Sequence, residues 1–145
     1  MIARYLDREF PEPALLTGPN VDRISSDISA FFPALAKFVK CAEFDCGLEA
    51  GLLEEAGRVE AVLERGPGPW LAGPSLALPD LSLGPKLHHM QSTLAAFAPA
   101  TLTRIETACP RLMQYTTDIL AHPALTNCSY PAETVIWGWT QARNK

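Results

Sequence analysis

Trp70-Leu-Ala-Gly-Pro-Ser-Leu-Ala-Leu-Pro-Asp-Leu-Ser-Leu-Gly-Pro-Lys-Leu-His-His-Met90 holds a tight turn, a helix start and an apolar stripe in one stretch. Gly73 and Pro74 are turn residues, one free to adopt unusual φ and the other with φ already fixed. Asp80 can accept from the unpaired N–H groups of a first helical turn. From there Leu83, Leu87, Met90, Leu94 and Phe97 recur at three and four residues, the spacing of one buried helix face. A helix is expected from about Pro79 to Phe97, with a kink at Gly84-Pro85, where Pro85 has no N–H to donate.

Upstream, Val21, Ile24, Ile28, Phe31, Phe32, Leu35, Phe38 and Val39 follow Asn20 at helical spacing. They describe an amphipathic helix of about five turns that Pro33 should bend or interrupt near Ala30. A polar linker is expected around Ala42 to Gly47. Leu48, Leu52, Ala56, Val59, Val62 and Leu63 then trace a second helix, ended by Gly66-Pro67-Gly68-Pro69. Downstream, a break at Ala98-Pro99 precedes a helix opened by Pro110 and carrying Leu112, Met113, Tyr115, Ile119 and Leu120 as far as His122-Pro123. A last short helix runs from about Pro131 to Trp139. No β-branched run alternates long enough to make a strand, so the chain is expected to be an all-α bundle of five helices.

A chain of 145 residues, 48% apolar, can bury one substantial core. Its net charge of −4 is mild and its Lys and Arg are scattered, which argues against nucleic acid as a partner. The opening residues contain acidic groups and no apolar targeting region, and no run is long enough to span a bilayer. A cytoplasmic protein without membrane association is expected. Cys41, Cys46, Cys109 and Cys128 lack C-x-x-C spacing and a nearby paired His, so no metal site is expected and free, buried thiols are. Cys109 stands directly before Pro110, an N-cap place where thiol pKa values can fall, but without a charged partner pattern it reads as structural.

The N-terminal residues fit the bundle less well. Ile2, Tyr5, Leu6 and Phe10 make one apolar side of a short helix that Pro11 and Pro13 end, and Leu15 to Pro19 reads as a linker.

Four motifs together resemble the C-terminal helical domain of plant and algal dehydroascorbate reductases, a branch of the glutathione transferase superfamily. They are Tyr-Leu-Asp-Arg-Glu-Phe-Pro-Glu-Pro at 5–13, Leu71-Ala-Gly-Pro through Leu87-His-His, Pro110-Arg-Leu-Met-Gln-Tyr with His122-Pro-Ala-Leu125, and Val135-Ile-Trp-Gly-Trp139. The resemblance implies that residues 1–18 are the end of a thioredoxin-like domain and its linker, and that 19–145 form the glutathione transferase C-terminal-like helical domain. It implies glutathione as co-substrate and dehydroascorbate as substrate. In the family the nucleophile is a low-pKa cysteine on the thioredoxin-like domain, and no Cys-Pro-Phe-type motif stands upstream of residue 20. The helical domain alone is therefore expected to be inactive, with no catalytic residue of its own and a thioredoxin-like domain or protein as partner. The alternative is a non-catalytic interaction module of the same fold.

The same resemblance picks out His89 and Trp139 as groups facing glutathione or ascorbate. An imidazole can donate to a carboxylate or lactone oxygen, and an indole offers an apolar wall with one N–H. Each also has a plain structural reading, His89 as a helix-surface histidine beside His88 and Trp139 as a plug on the bundle. The family's lysine three residues beyond this tryptophan falls on Ala142, with Arg143 next to it. Trp70 and Trp137 read as packing groups. Asp80 reads as a structural cap. Its superfamily partner three positions earlier is a Ser or Thr, here Ala77, so half of the capping box is missing, which costs roughly 1 kcal/mol, while Leu76 and Leu81 keep the hydrophobic staple.

Overall fold

A computed structural model describes residues 2–16, 20–41 and 46–143. Most of the expected 42–47 linker, the end of the 15–19 linker and the side chain of Cys46 lie outside the described residues. Among the described residues the helices are α1 (Ile2–Glu9), α2 (Val21–Asp27), α3 (Phe31–Lys40), α4 (Cys46–Arg65), α5 (Leu78–Phe97), α6 (Pro99–Ala108), α7 (Pro110–Ala121), α8 (Pro123–Thr126) and α9 (Ala132–Arg143). No strand forms among them; Trp70 and Gly73 make an isolated bridge. No helix is long and apolar enough to cross a membrane among the described residues.

The all-α expectation holds, but five helices is an undercount. The long helix proposed over 21–39 is two, α2 and α3, interrupted at 28–30, with Pro33 in the first turn of α3, where its missing N–H leaves no intrahelical bond unmade. Two helices went unforeseen. The segment Pro99–Ala108 has few apolar residues, and α8 spans a single turn. Both start as α7 does, with proline at the first helical position, where its fixed φ suits a helix start.

The central helix is α5, which packs against α2, α3, α6, α7, α8 and α9. Leu83, Leu87, Met90 and Leu94 of the expected stripe are fully buried, and the helix continues through Pro85 without a break. Phe97 is half-buried, covered by the Arg143 guanidinium 4.9 Å from its ring centre. Phe31, Leu35, Phe38 and Val39 from α3, Leu52, Ala56 and Val59 from α4, and Leu112, Tyr115 and Ile119 from α7 complete the core.

Two buried carboxylates organise this core. Asp80 accepts from the Ala77 N–H at 2.9 Å, the half of the capping box that survives because it needs no side chain at 77. Its other oxygen accepts from the Leu71 N–H at 2.9 Å and the Tyr115 hydroxyl at 2.7 Å, so one acid joins the 66–77 turn, α5 and α7. Burial first, then the Asp80 charge and the hydrogen bond to it, push the Tyr115 phenol far above its ordinary pKa. Glu60 of α4 accepts from the N–H groups of Arg111 at 3.0 Å and Leu112 at 2.6 Å. It thereby supplies to α7 the cap that Cys109 does not make.

The turn before α5 closes through Trp70 and Gly73, each donating to the other's carbonyl, with Gly73 at φ 146. A Cβ on Gly68 would lie 2.5 Å from the Gly73 oxygen, so the two arms of this turn approach only because Gly68 carries no side chain. The N-terminal segment is tied here too: Asp7 accepts from the Leu15 N–H, and the Leu15 carbonyl accepts from the Leu78 N–H.

One packing expectation holds and two need correction. Trp70 does pack, edge-on to Tyr115 and His122. Trp137 does not: it is 67% exposed, because on α9 it points away from Val135, the residue that faces the core. Of the described thiols Cys109 is buried, Cys41 is half-buried and Cys128 is exposed. The Cys128 thiol donates to the Ala124 carbonyl, as a polar group at the end of α8.

Candidate functional site

The side of α5 that carries His89 faces α9 and α3, and these three helices bring the two site residues together. The indole N–H of Trp139 donates to Nδ1 of His89 at 2.8 Å. An indole nitrogen can only donate, so Nδ1 must be the unprotonated acceptor and the neutral ring carries its proton on Nε2. Among the described residues Nε2 has no hydrogen-bond partner. Phe32 of α3 fixes the pair from the side, its ring edge-on to His89 (centroids 5.8 Å apart, 90°) and to Trp139 (6.3 Å, 68°). Burial, with a smaller contribution from the neighbouring His88, lowers the His89 pKa. Both influences favour the neutral form that the indole bond requires.

His89 and Trp139 line a cavity of about 360 Å³ together with Lys40, Tyr130, Thr134, Val135, Gly138 and Ala142. Thr134, Gly138 and Ala142 succeed one another at four-residue intervals on α9, so small residues keep this side wide. Tyr130 is held at the rim by His88, whose Nε2 lies 2.8 Å from its carbonyl oxygen and donates to it. Ala142, where the resemblance would place a lysine, presents no charge. Arg143 does not replace it in the cavity, since it donates to the Val39 carbonyl at 2.7 Å and stacks on Phe97. The basic group that the cavity does have is Lys40, which went unnoticed in the sequence because a lysine in a last helical turn is an ordinary surface residue.

The remaining candidates fall elsewhere. Asp80 is fully buried in the core with its three donors, so it serves the fold. Cys109 is buried, and its thiol is pushed up by burial first and by the charges of Glu60 and Glu64 next, the opposite of an activated nucleophile. Among the described residues no group of three or more His, Cys, Asp or Glu side chains is placed to hold a metal ion.

A cavity whose described lining is largely apolar and includes Lys40 and the His89 imidazole is suited to a small polar molecule bearing an oxyanion or carbonyl oxygen. None of its described lining residues is a cysteine.

The chain matches no family model. It is similar along 99% of its length to a protein named glutathione S-transferase DHAR2 from Arabidopsis thaliana, with 29% identity over 148 residues and 65% of that protein covered. Glutathione S-transferase DHAR3, chloroplastic, from the same plant is 29% identical over 139 residues, 96% of this chain and 51% of that protein. A probable glutathione S-transferase DHAR1, cytosolic, from Oryza sativa subsp. japonica is 28% identical over 148 residues, 99% of this chain and 64% of that protein. The chain thus spans between half and two thirds of the length of these relatives, matching their C-terminal helical region.

Proposed function

Because the chain is, along nearly its whole length, a relative of the DHAR-type glutathione S-transferases, we propose that it forms the substrate-side helical domain of a glutathione-dependent dehydroascorbate reductase. In this reading the His89–Trp139 cavity is one wall of the site for glutathione and dehydroascorbate. The nucleophilic cysteine belongs to a thioredoxin-like domain, in the same polypeptide or another. The observation that carries the reading is the 2.8 Å bond that makes His89 and Trp139 a single wall unit. It leaves the Nε2–H of His89 as a donor to a carboxylate or lactone oxygen, beside the apolar face of the indole.

The overall reaction balances without help from the helical domain. The thiolate of the partner domain takes up the oxidised substrate, dehydroascorbate leaves as ascorbate after gaining two electrons and two protons, and two glutathione thiols end as one disulfide. The helical domain's part is orientation: a neutral imidazole donates at a carbonyl oxygen on which negative charge grows, and the apolar walls exclude water.

The exposed apolar side of α1 supports a docked partner. Ile2, Tyr5, Leu6 and Phe10 are 78%, 54%, 47% and 69% exposed, a contiguous patch of the kind that another domain covers. We propose residues 1–18 as the end of that thioredoxin-like domain and the linker from it. The same patch would also serve a non-catalytic docking module. The two readings separate on the cavity, since a docking module has no need of small-molecule binding.

Titration of the chain with glutathione and with ascorbate, followed by NMR at the Trp139 indole and the His89 ring, tests the reading. The expected result is saturable shifts at these two residues, with the Trp137 indole unmoved. No shift at either residue, with the chain alone and with it joined to a thioredoxin-like domain, overturns it.

A further inference from the structure

Lys40 is the last residue of α3 and lines the same cavity as His89 and Trp139. Three observations make it more than a surface charge. None of the described residues lining the cavity bears a carboxylate to compete with a ligand for the ammonium. The neighbouring cation, Arg143, is committed to the Val39 carbonyl and the Phe97 ring. Ala142 of α9 lines the same space with a single methyl group, leaving room for a lysine arriving from α3, which packs on α9. Lys40 is exposed at the mouth of the cavity; the helix C-terminus favours a positive charge at that position, and its pull on an anion is open to screening by salt.

We propose that Lys40 is the oxyanion anchor of this cavity, holding a carboxylate or enolate oxygen of a small organic anion while the Nε2–H of His89 donates to a second oxygen. This rests on the reading of the cavity as a substrate wall, and it names the group that fixes the ligand's charged end. The anchor sits on α3, so the cation reaches the ligand from the side opposite in sequence to the α9 residues at which a basic contact was sought. Ligands without a negative charge gain nothing from it.

The test is the NMR titration with glutathione and with ascorbate, run on the full chain and on the variants Lys40→Met and Lys40→Arg. Lys40→Met keeps the aliphatic stem and removes the charge; Lys40→Arg keeps the charge. The dissociation constant is expected to rise about fivefold in Lys40→Met and to stay near the parent value in Lys40→Arg. The weakening that added salt causes in the parent should be largely lost in Lys40→Met. A response confined to glutathione identifies the anchored oxygen as a carboxylate, and one confined to ascorbate identifies it as an enolate. Equal binding by the parent and Lys40→Met overturns the anchor and leaves the cavity's role standing. Equal weakening in Lys40→Arg overturns it as well, because charge would then not be what matters. Absence of binding in the parent overturns both.

Discussion

A single carboxylate, Asp80, holds three donors that would otherwise be stranded in the core: the N–H groups of Leu71 and Ala77 and the Tyr115 hydroxyl. An isosteric amide cannot do the same, since its NH₂ would face the N–H of Ala77 or the other two donors. Asp80→Asn is expected to lower the unfolding free energy by about 2–3 kcal/mol, and Tyr115→Phe by about 1 kcal/mol. Denaturant unfolding checks both, and an Asp80→Asn variant as stable as the parent would show that the network contributes nothing. His89 makes a prediction of opposite chemistry. Its pKa in the folded chain is lowered, whereas the unfolded chain titrates at about 6.5. The folded state therefore binds the proton less readily, so the stability due to the neutral ring is complete above about 6.5 and is lost as pH falls through the lower folded value. Following the His89 ring resonance against pH should give a midpoint below that of an unfolded histidine, and Trp139→Phe should move it upward. A midpoint unchanged by that substitution would mean that the indole bond does not select the neutral ring. Asp80 was legible as a cap from its place before an apolar stripe, but its two other donors were not, because Tyr115 lies 35 residues away on α7 and Leu71 is brought to it only by the path of the turn between them. His89 and Trp139 were legible through the motifs that contain them, whereas the bond between them depends on how α5 and α9 pack.

Helices were legible where apolar periodicity was strong and lost where it was weak. The stripe on α5 placed that helix to within a residue, and the stripes on α4 and α7 did nearly as well. In α6, by contrast, only Thr101 and Ile105 are buried, so no stripe of three or more apolar residues marks it. The legible signal was Pro99, which stands at the helix start as Pro110 and Pro123 do in the next two helices. Glu60 is the clearest residue missed at this scale. It falls on the buried side of α4 among Ala56, Val59 and Leu63, a position that an acid occupies only with partners, and those partners are 51 and 52 residues away on α7. Glu60→Ala leaves the Arg111 and Leu112 N–H groups uncapped and is expected to destabilise the chain by about 1–2 kcal/mol. Glu60→Gln, which keeps one acceptor, should lose about half as much. Thermal unfolding of the two variants distinguishes a cap from a bystander: equal midpoints for parent and Glu60→Ala would rule the cap out.

At the scale of the whole molecule, a core centred on α5 places a cavity on one side, between α3, α5 and α9, and leaves the apolar side of α1 bare at the N-terminal end. Composition and periodicity disclosed the core and the apolar side of α1 but not the cavity, because a cavity is a gap between elements. The proposed division of labour follows from that layout, with binding in the helical domain and the nucleophile on a thioredoxin-like domain that covers α1. Reconstitution reads it out. The chain joined to a thioredoxin-like domain of a relative, the relative's own helical region left out, is assayed for glutathione-dependent reduction of dehydroascorbate. The fused protein should be active, and His89→Ala and Trp139→Phe should each lower kcat/KM by about tenfold while the chain by itself stays silent. A fusion that folds, binds glutathione and shows no dehydroascorbate reduction, or activity indifferent to both substitutions, would contradict the proposal.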